Sequence, residues 1–170
     1  MVKAEDYIKE LDLLQHVEGG DFKEDFRSNV ILKQAHLPEG FAGDRHLSTH
    51  IYFLLKYGQF SALHRIAAEE HWHFYDGDPL HVYSIDKSGN LLTIKLGRNI
   101  TAGEVLHAVI PAGIWFGSRC EVENGFSLVG CTVAPGFDFA DFELASRSEL
   151  CQLYPQHLTL INDLTYPETK

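Results

Sequence analysis

Apolar positions along the chain change their period more than once. Near the start, Tyr7, Ile8, Leu11 and Leu14 fall on one helical face, while Glu5, Lys9 and Asp12 lie mostly off it. This spacing predicts an N-terminal helix, ended by Gly19 and Gly20. A polar segment follows to about residue 47. From "THIYFLLKY" onward, short runs of Val, Ile, Tyr, Phe and Leu alternate with turn signals. These signals are Gly58, "DGDP" at 76–79, "KSGN" at 87–90, Gly97, Gly103, Gly113 and "NG" at 124–125. A spacing of roughly ten residues predicts an all-β sandwich or barrel. "LLTIKL" alternates at Leu92, Ile94 and Leu96, which predicts one solvated face. "FSLVGCTVA" is apolar on both faces and predicts a central strand. No helical period appears between about 50 and 134, which argues against a βαβ fold. "ASRSELCQLYP" predicts a short C-terminal helix stopped by Pro155. The expected layout is one domain over 1–170, with a helix and arm at 1–47, a barrel at 48–139 and a C-terminal segment at 140–170.

Composition narrows the partners more than the fold. A chain of 170 residues, 45% hydrophobic and 22% charged, suits one ordinary globular domain. The net charge is −10 and no lysine/arginine cluster offsets it, so neither nucleic acid nor an anionic membrane is an expected partner. "MVKAEDYIKELDLL" lacks the apolar run of a signal peptide, and no stretch reaches the length of a membrane span. A cytoplasmic protein is expected. Cys120, Cys131 and Cys151 form no CxxC pair, and their odd number argues against a disulfide framework. They read as small buried apolar groups. A catalytic thiol, the alternative, has no supporting neighbour in the sequence.

Candidate chemistry concentrates in "SALHRIAAEEHWHFYDGDPL", residues 61–80. Strand alternation puts Phe60, Ala62, His64 and Ile66 on one face and Glu70, Trp72 and Phe74 on another. His71, His73 and Tyr75 then point away from Glu70. His64 and Glu70 are the candidate catalytic pair, with His64 as base and Glu70 orienting it or serving as acid. Tyr52, Phe60, Trp72, Phe74, Trp115 and Phe116 are the candidate ligand contacts. A titratable pair in a mostly apolar pocket suits proton transfer. The plain alternative is a satisfied core hydrogen bond, with Trp72 and Trp115 as core residues. "HVEGGDF" reads as a helix stop and tight turn, or as a pocket lip reached by Glu18 or Arg27. In "VAPGFDFADFEL", Phe137, Phe139 and Phe142 are expected to pack the C-terminal segment over the barrel, with Asp138 and Asp141 solvated or capping and a ligand role for Asp138 as the alternative. Arg65 is expected to face away from His64, toward an ion pair or a partner subunit.

Several of these stretches occur in an order that resembles a known family. "HVEGGDF", "STHIYFLL", "SALHRI", "EEHWHFYDGDPL", "PAGIWF" and "LVGCTVAPGFDF" together resemble a cupin family of unknown function found in bacteria, fungi and plants. That family's first segment usually reads H-P-E-G-G; here Val17 stands at the proline. His64, Glu70 and Gly77 fit the first cupin motif, whose second histidine position is Ile66. Gly103, Pro111 and Gly113, in "GEVLHAVIPAGIWF", fit the second motif, whose histidine position is Phe116. The resemblance implies a cupin double-stranded β-helix, or jelly-roll barrel, often dimeric, with an internal pocket. It implies no particular reaction.

Two of the four usual ligand positions are apolar, so no metal and no other cofactor is expected; a metal, if held, would take His64 and Glu70. The leading expectation is a small polar metabolite in the barrel and a metal-independent isomerase or epimerase, since cupin sugar epimerases also use a histidine base in such a barrel. The alternatives are a non-catalytic binding module and a metal-dependent cupin enzyme. A homodimer is expected, with the arm adding a strand to a partner's sheet.

Overall fold

The computed structural model of the protein describes residues 2–167. Along the chain run helix α1 (Ala4–Glu10) and strands β1 (Leu14–Gln15), β2 (Asp21–Arg27), β3 (Ile31–Leu32), β4 (Arg45–His46) and β5 (Thr49–Lys56). Strands β6 (Phe60–Ile66), β7 (Glu69–Gly77), β8 (Leu80–Ile85), β9 (Leu91–Leu96) and β10 (His107–Ile110) follow. The chain continues with β11 (Trp115–Cys120), β12 (Phe126–Ala134), β13 (Phe142–Leu144), and helices α2 (Arg147–Leu153) and α3 (Leu158–Asp163). A six-stranded sheet has the order β1-β2-β5-β12-β7-β10, and a five-stranded sheet the order β13-β6-β11-β8-β9. Pairing within both is antiparallel. This is a double-sheet jelly roll: the strand spacing predicts an all-β sandwich or barrel, and the cupin resemblance implies this form of it.

The two inner faces meet in one apolar core. Phe53, Trp72, Phe74 and Val129 come from the six-stranded sheet, and Leu80, Val82, Leu96 and Phe116 from the five-stranded one. Each such burial removes a side chain worth roughly 1.5–3 kcal/mol from water. β12 is central, between β5 and β7, as its two-sided apolar run predicts. β9 is an edge strand: Leu96 is buried and Ile94 packs on the core, while Leu92 at the far end is exposed.

The chain's ends depart from the predicted layout. α1 ends at Glu10, well before Gly19, because Asp12 adopts a left-handed backbone (φ 52°). The helix covers the six-stranded sheet through Ala4, with Tyr7, Ile8 and Leu11 packed beside Leu54 and Leu128. Leu14 lies beyond the helix and is exposed. The division expected at residue 48 also fails, because β2 is a sheet strand of the same chain, paired with β5 from Asp21↔Leu54 to Arg27↔Thr49. Its outward residues are charged, so "DFKEDFR" reads as polar arm rather than strand. At the other end, Pro155 stops α2 but opens a short 3-10 turn into α3, an element the sequence reading lacks. Leu150, Tyr154, Ile161 and Leu164 from this pair cover the outer side of β6, β8 and β11 at Leu63, Ile85 and Trp115.

Candidate functional site

A β-bulge builds the site. Phe116 pairs with His64, but Ser118 pairs with Ser61, so β6 spends three residues where β11 spends two. Gly117 permits this: a Cβ there would lie 2.7 Å from the Ser61 carbonyl oxygen. The extra residue brings Ser61 and His64 to the same carboxylate. Ser61 Oγ donates to Glu18 Oε1 at 2.9 Å, and His64 Nε2 lies 3.2 Å from Glu18 Oε2.

Glu18 reaches this point from the turn between β1 and β2. Its carbonyl accepts from Ala62 N at 2.7 Å, and its N–H donates to His16 Nδ1 at 3.3 Å. Gly19 then turns with φ +107°, and a Cβ there would lie 2.0 Å from the Phe60 carbonyl oxygen. The two glycines of "HVEGG" let the turn press against β6 and aim Glu18 into the barrel.

Proton positions follow from the partners. His64 Nδ1 lies 2.7 Å from the Ala62 carbonyl, which can only accept, so Nδ1 carries a proton. Burial pushes the His64 pKa down to about 4, so the ring is neutral and Nε2 holds a lone pair. Burial raises Glu18 to about 7, against the opposing pull of His16 and the Ser61 hydrogen bond. The His64–Glu18 contact thus sets a carboxyl beside a neutral imidazole and is not an ion pair. Glu70 rises to about 8 through burial and the nearby Glu18 charge, opposed by a hydrogen bond with Cys131. Burial also keeps Cys131 a thiol.

These groups line a cavity of about 460 Å³. Glu18, His64, Glu70 and Cys131 are its buried titratable groups. His16, Phe22, Ile51, Val133, Phe137 and Phe139 supply most of the apolar wall, and Glu24, Arg27, His46, Thr49 and Asp138 complete it. Arg27 donates to both oxygens of Glu24 at 2.7 and 2.6 Å and to the Phe137 carbonyl at 3.2 Å.

Both expected polar residues therefore face the cavity, but the partner of His64 is Glu18, not Glu70. β6 and β7 belong to different sheets, so Glu70 is no neighbouring-strand partner. None of the six expected ligand contacts lines the cavity. Trp72, Phe74 and Phe116 fill the core beneath it, with the Phe116 ring 4.1 Å from that of His64. The Trp72 Nε1 is buried there without a hydrogen-bond partner among the described residues. Trp115 alternates with the inward Phe116 and packs under the C-terminal helices, with Arg65 stacked 4.4 Å from its ring. The bulge turns Phe60 to that same outer side, beside Tyr166. Tyr52 packs near α1 and beside His50 and Tyr75, away from the cavity.

Arg65 pairs with Glu143 at 2.7 Å, the expected outward ion pair. His71 and His73 also face away, as alternation predicts; His71 Nδ1 lies 3.1 Å from His107 Nε2. Asp138 caps a 3-10 turn, but Asp141 is neither solvated nor capping: it is buried against Arg45. The sequence reading missed Cys131, Ile51 and Val133, which sit on the inner face of strands otherwise read as core. Glu18 carried one weak signal, its place before two glycines.

The donor set does not fit a metal. Ile66 packs in an apolar cluster with Val133, Phe41 and Ala68, and Phe116 occupies the remaining motif position. Both His64 nitrogens are engaged. Among the described residues, no three His, Cys, Asp or Glu side chains group closely enough to hold an ion.

The fold is that of a cupin, and the chain belongs to the Cupin superfamily (DUF985) family, whose profile matches residues 5–145. A protein of Shewanella oneidensis, SO0799, is 44% identical, with a TM-score of 0.88 over 99% of this chain and 100% of that one. A hypothetical protein from Leishmania major is 35% identical, with a TM-score of 0.89 over 98% of this chain and 100% of that one. Uncharacterized protein YML079W of Saccharomyces cerevisiae is 32% identical over 79% of this chain and 71% of its own. Oxalate decarboxylase of Bacillus subtilis shares the fold alone, at 14% identity and a TM-score of 0.53 over 91% of this chain and 40% of that one. Among the described residues, no helix is long and apolar enough to cross a membrane.

Proposed function

We propose that the barrel binds a small polar metabolite and that Glu18 and His64 exchange protons with it, as in an isomerase or epimerase. The observation that carries this reading is the 3.2 Å contact between His64 Nε2 and Glu18 Oε2 in a cavity wall, with Nδ1 fixed on Ala62. Glu18 passes its proton to a ligand carbonyl oxygen as His64 Nε2 takes one from the adjacent hydroxyl-bearing carbon, forming an enediol. The imidazolium then returns its proton to the former carbonyl carbon while the second hydroxyl passes its proton to Glu18, which yields the isomer. Protons balance, no electrons leave the ligand, and neither step needs a cofactor. Glu18, with a pKa near 7, is suited to give and regain a proton at neutral pH.

A second reading, a non-catalytic binding module, is favoured by the closed set of contacts among Ser61, Ala62, His64 and Glu18. Incubation with a small-molecule extract in D2O, read by mass spectrometry, separates the two. The isomerase reading expects carbon-bound deuterium in at least one metabolite, lost in His64→Gln. A metabolite that is retained without labelling sinks proton transfer and leaves the binding module.

A further inference from the structure

The charges around the cavity are one-sided. Four of its lining residues carry carboxyl groups: Glu18, Glu24, Glu70 and Asp138. Arg27 is the single lysine or arginine of the lining among the described residues, and its guanidinium is already held by Glu24 and the Phe137 carbonyl. Glu70 is buried to 7% exposure, and no basic side chain among the described residues pairs with it. Phe22, Phe137 and Phe139 present aromatic surface to the same space.

Resting on the reading of this cavity as the ligand site, we propose that its ligand presents a cationic nitrogen, an ammonium or amidinium group, to Glu70 and Glu18. A carboxylate or phosphate ligand would find no uncommitted lysine or arginine, and the lining histidines His16, His46 and His64 are held through Nδ1 by the Glu18 N–H, the Ser28 carbonyl and the Ala62 carbonyl, so its charge would be buried without a matching cation. A cation gains a charge-assisted hydrogen bond and attraction to the ring faces. Burial keeps Glu70 protonated in the free protein. Binding of a cation therefore ionises it and releases its proton to solvent, so net charge in the cavity is conserved.

The test uses three ligands of one shape: benzylammonium, benzyl alcohol and benzoate. Methyl NMR shifts of Ile51 and Val133, which line the cavity, report whether each enters. Calorimetry in phosphate and in Tris reads the protons released. Benzylammonium is expected to bind at least about tenfold tighter than either relative, with net proton release and with affinity rising from pH 6 to pH 8. Glu70→Gln should lower its affinity to near that of benzyl alcohol and remove the proton release. Equal or tighter binding of benzoate or benzyl alcohol overturns the proposal, as does unchanged affinity in Glu70→Gln or the absence of any methyl shift. The D2O experiment is independent of these ligands: deuterium incorporation that depends on His64, alongside preference for benzyl alcohol, would leave proton transfer standing and remove only the cation.

Discussion

His64 Nε2 and Glu18 Oε2 lie 3.2 Å apart, and each group is held by a second contact on β6: Ala62 O fixes the ring, and Ser61 Oγ fixes the carboxyl. Glu18→Gln can preserve this geometry, since an amide accepts from Ser61 and donates to Nε2. Its stability should change by no more than about 1 kcal/mol, while deuterium incorporation is lost. His64→Ala removes a buried ring and orphans the Glu18 proton, at roughly 2–4 kcal/mol. Urea unfolding of both variants beside the exchange assay checks this. A Glu18→Gln variant that retains full exchange would remove Glu18 from the chemistry.

Glu70 should make the protein less stable as pH rises. Its folded pKa, about 8, lies above its ordinary value, so its contribution is present in acid and is lost between the two values. Glu18, raised to about 7, acts in the same direction. His64, lowered to about 4, acts oppositely: its neutral ring favours the fold above pH 6.5, and that contribution fades as pH falls toward 4. The opposing effects overlap in mild acid, so the carboxyl effect stands clear above pH 6.5. Between pH 6.5 and 8, wild-type stability should fall by on the order of 1–2 kcal/mol from Glu70, at about 1.4 kcal/mol per pH unit. Glu70→Gln should flatten this slope. Denaturant midpoints across that range give the answer, and parallel slopes would contradict it.

The pair Arg45–Asp141 anchors the wall of the cavity. Its bidentate contacts, 2.6 Å from Nε to Oδ2 and 2.5 Å from NH2 to Oδ1, join β4 to the turn that carries Phe139. Both side chains are only 5% exposed. Asp141→Asn strands a buried guanidinium and should cost about 3–5 kcal/mol, whereas Arg45→Met with Asp141→Leu should recover much of that loss. A double-mutant cycle by chemical denaturation measures the coupling. Additive single effects would show that the pair is not a unit.

The barrel's strands were legible because they bury one or two whole faces, and period-two patterns report burial directly. The inner face of β7 followed the same rule, so Glu70 was placed correctly toward the cavity. β6 broke it. A bulge leaves the apolar alternation of "FSALHRI" intact on paper while turning Phe60 outward and Ser61 inward. Glu18 was legible only as the alternative reading, a pocket lip: an acid before two glycines reads first as a turn, and only the third dimension brings that turn against β6. α3 was obscured by Pro155, which stops one helix yet also suits the start of the next turn.

Gly19→Ala tests whether that turn sets the chemistry. Gly19 sits at φ +107°, where a side chain is strained, and a Cβ would lie 2.0 Å from the backbone oxygen of Phe60. Backbone cannot swing aside as a side chain would, so the turn must lift from β6. Glu18 is the preceding residue, and its carbonyl accepts from Ala62 N at 2.7 Å, so lifting the turn draws the carboxyl away from Ser61 and His64. The variant should lose about 2–4 kcal/mol of stability and most proton exchange together. Gly40→Ala is the matched control: it has the same φ of +107° with nothing within 4 Å of its Cβ, so it bears the strain without the collision. It should cost no more than about 1 kcal/mol and leave exchange untouched. Equal losses in the two variants would mean that φ strain alone, not the approach of the turn to β6, explains the effect.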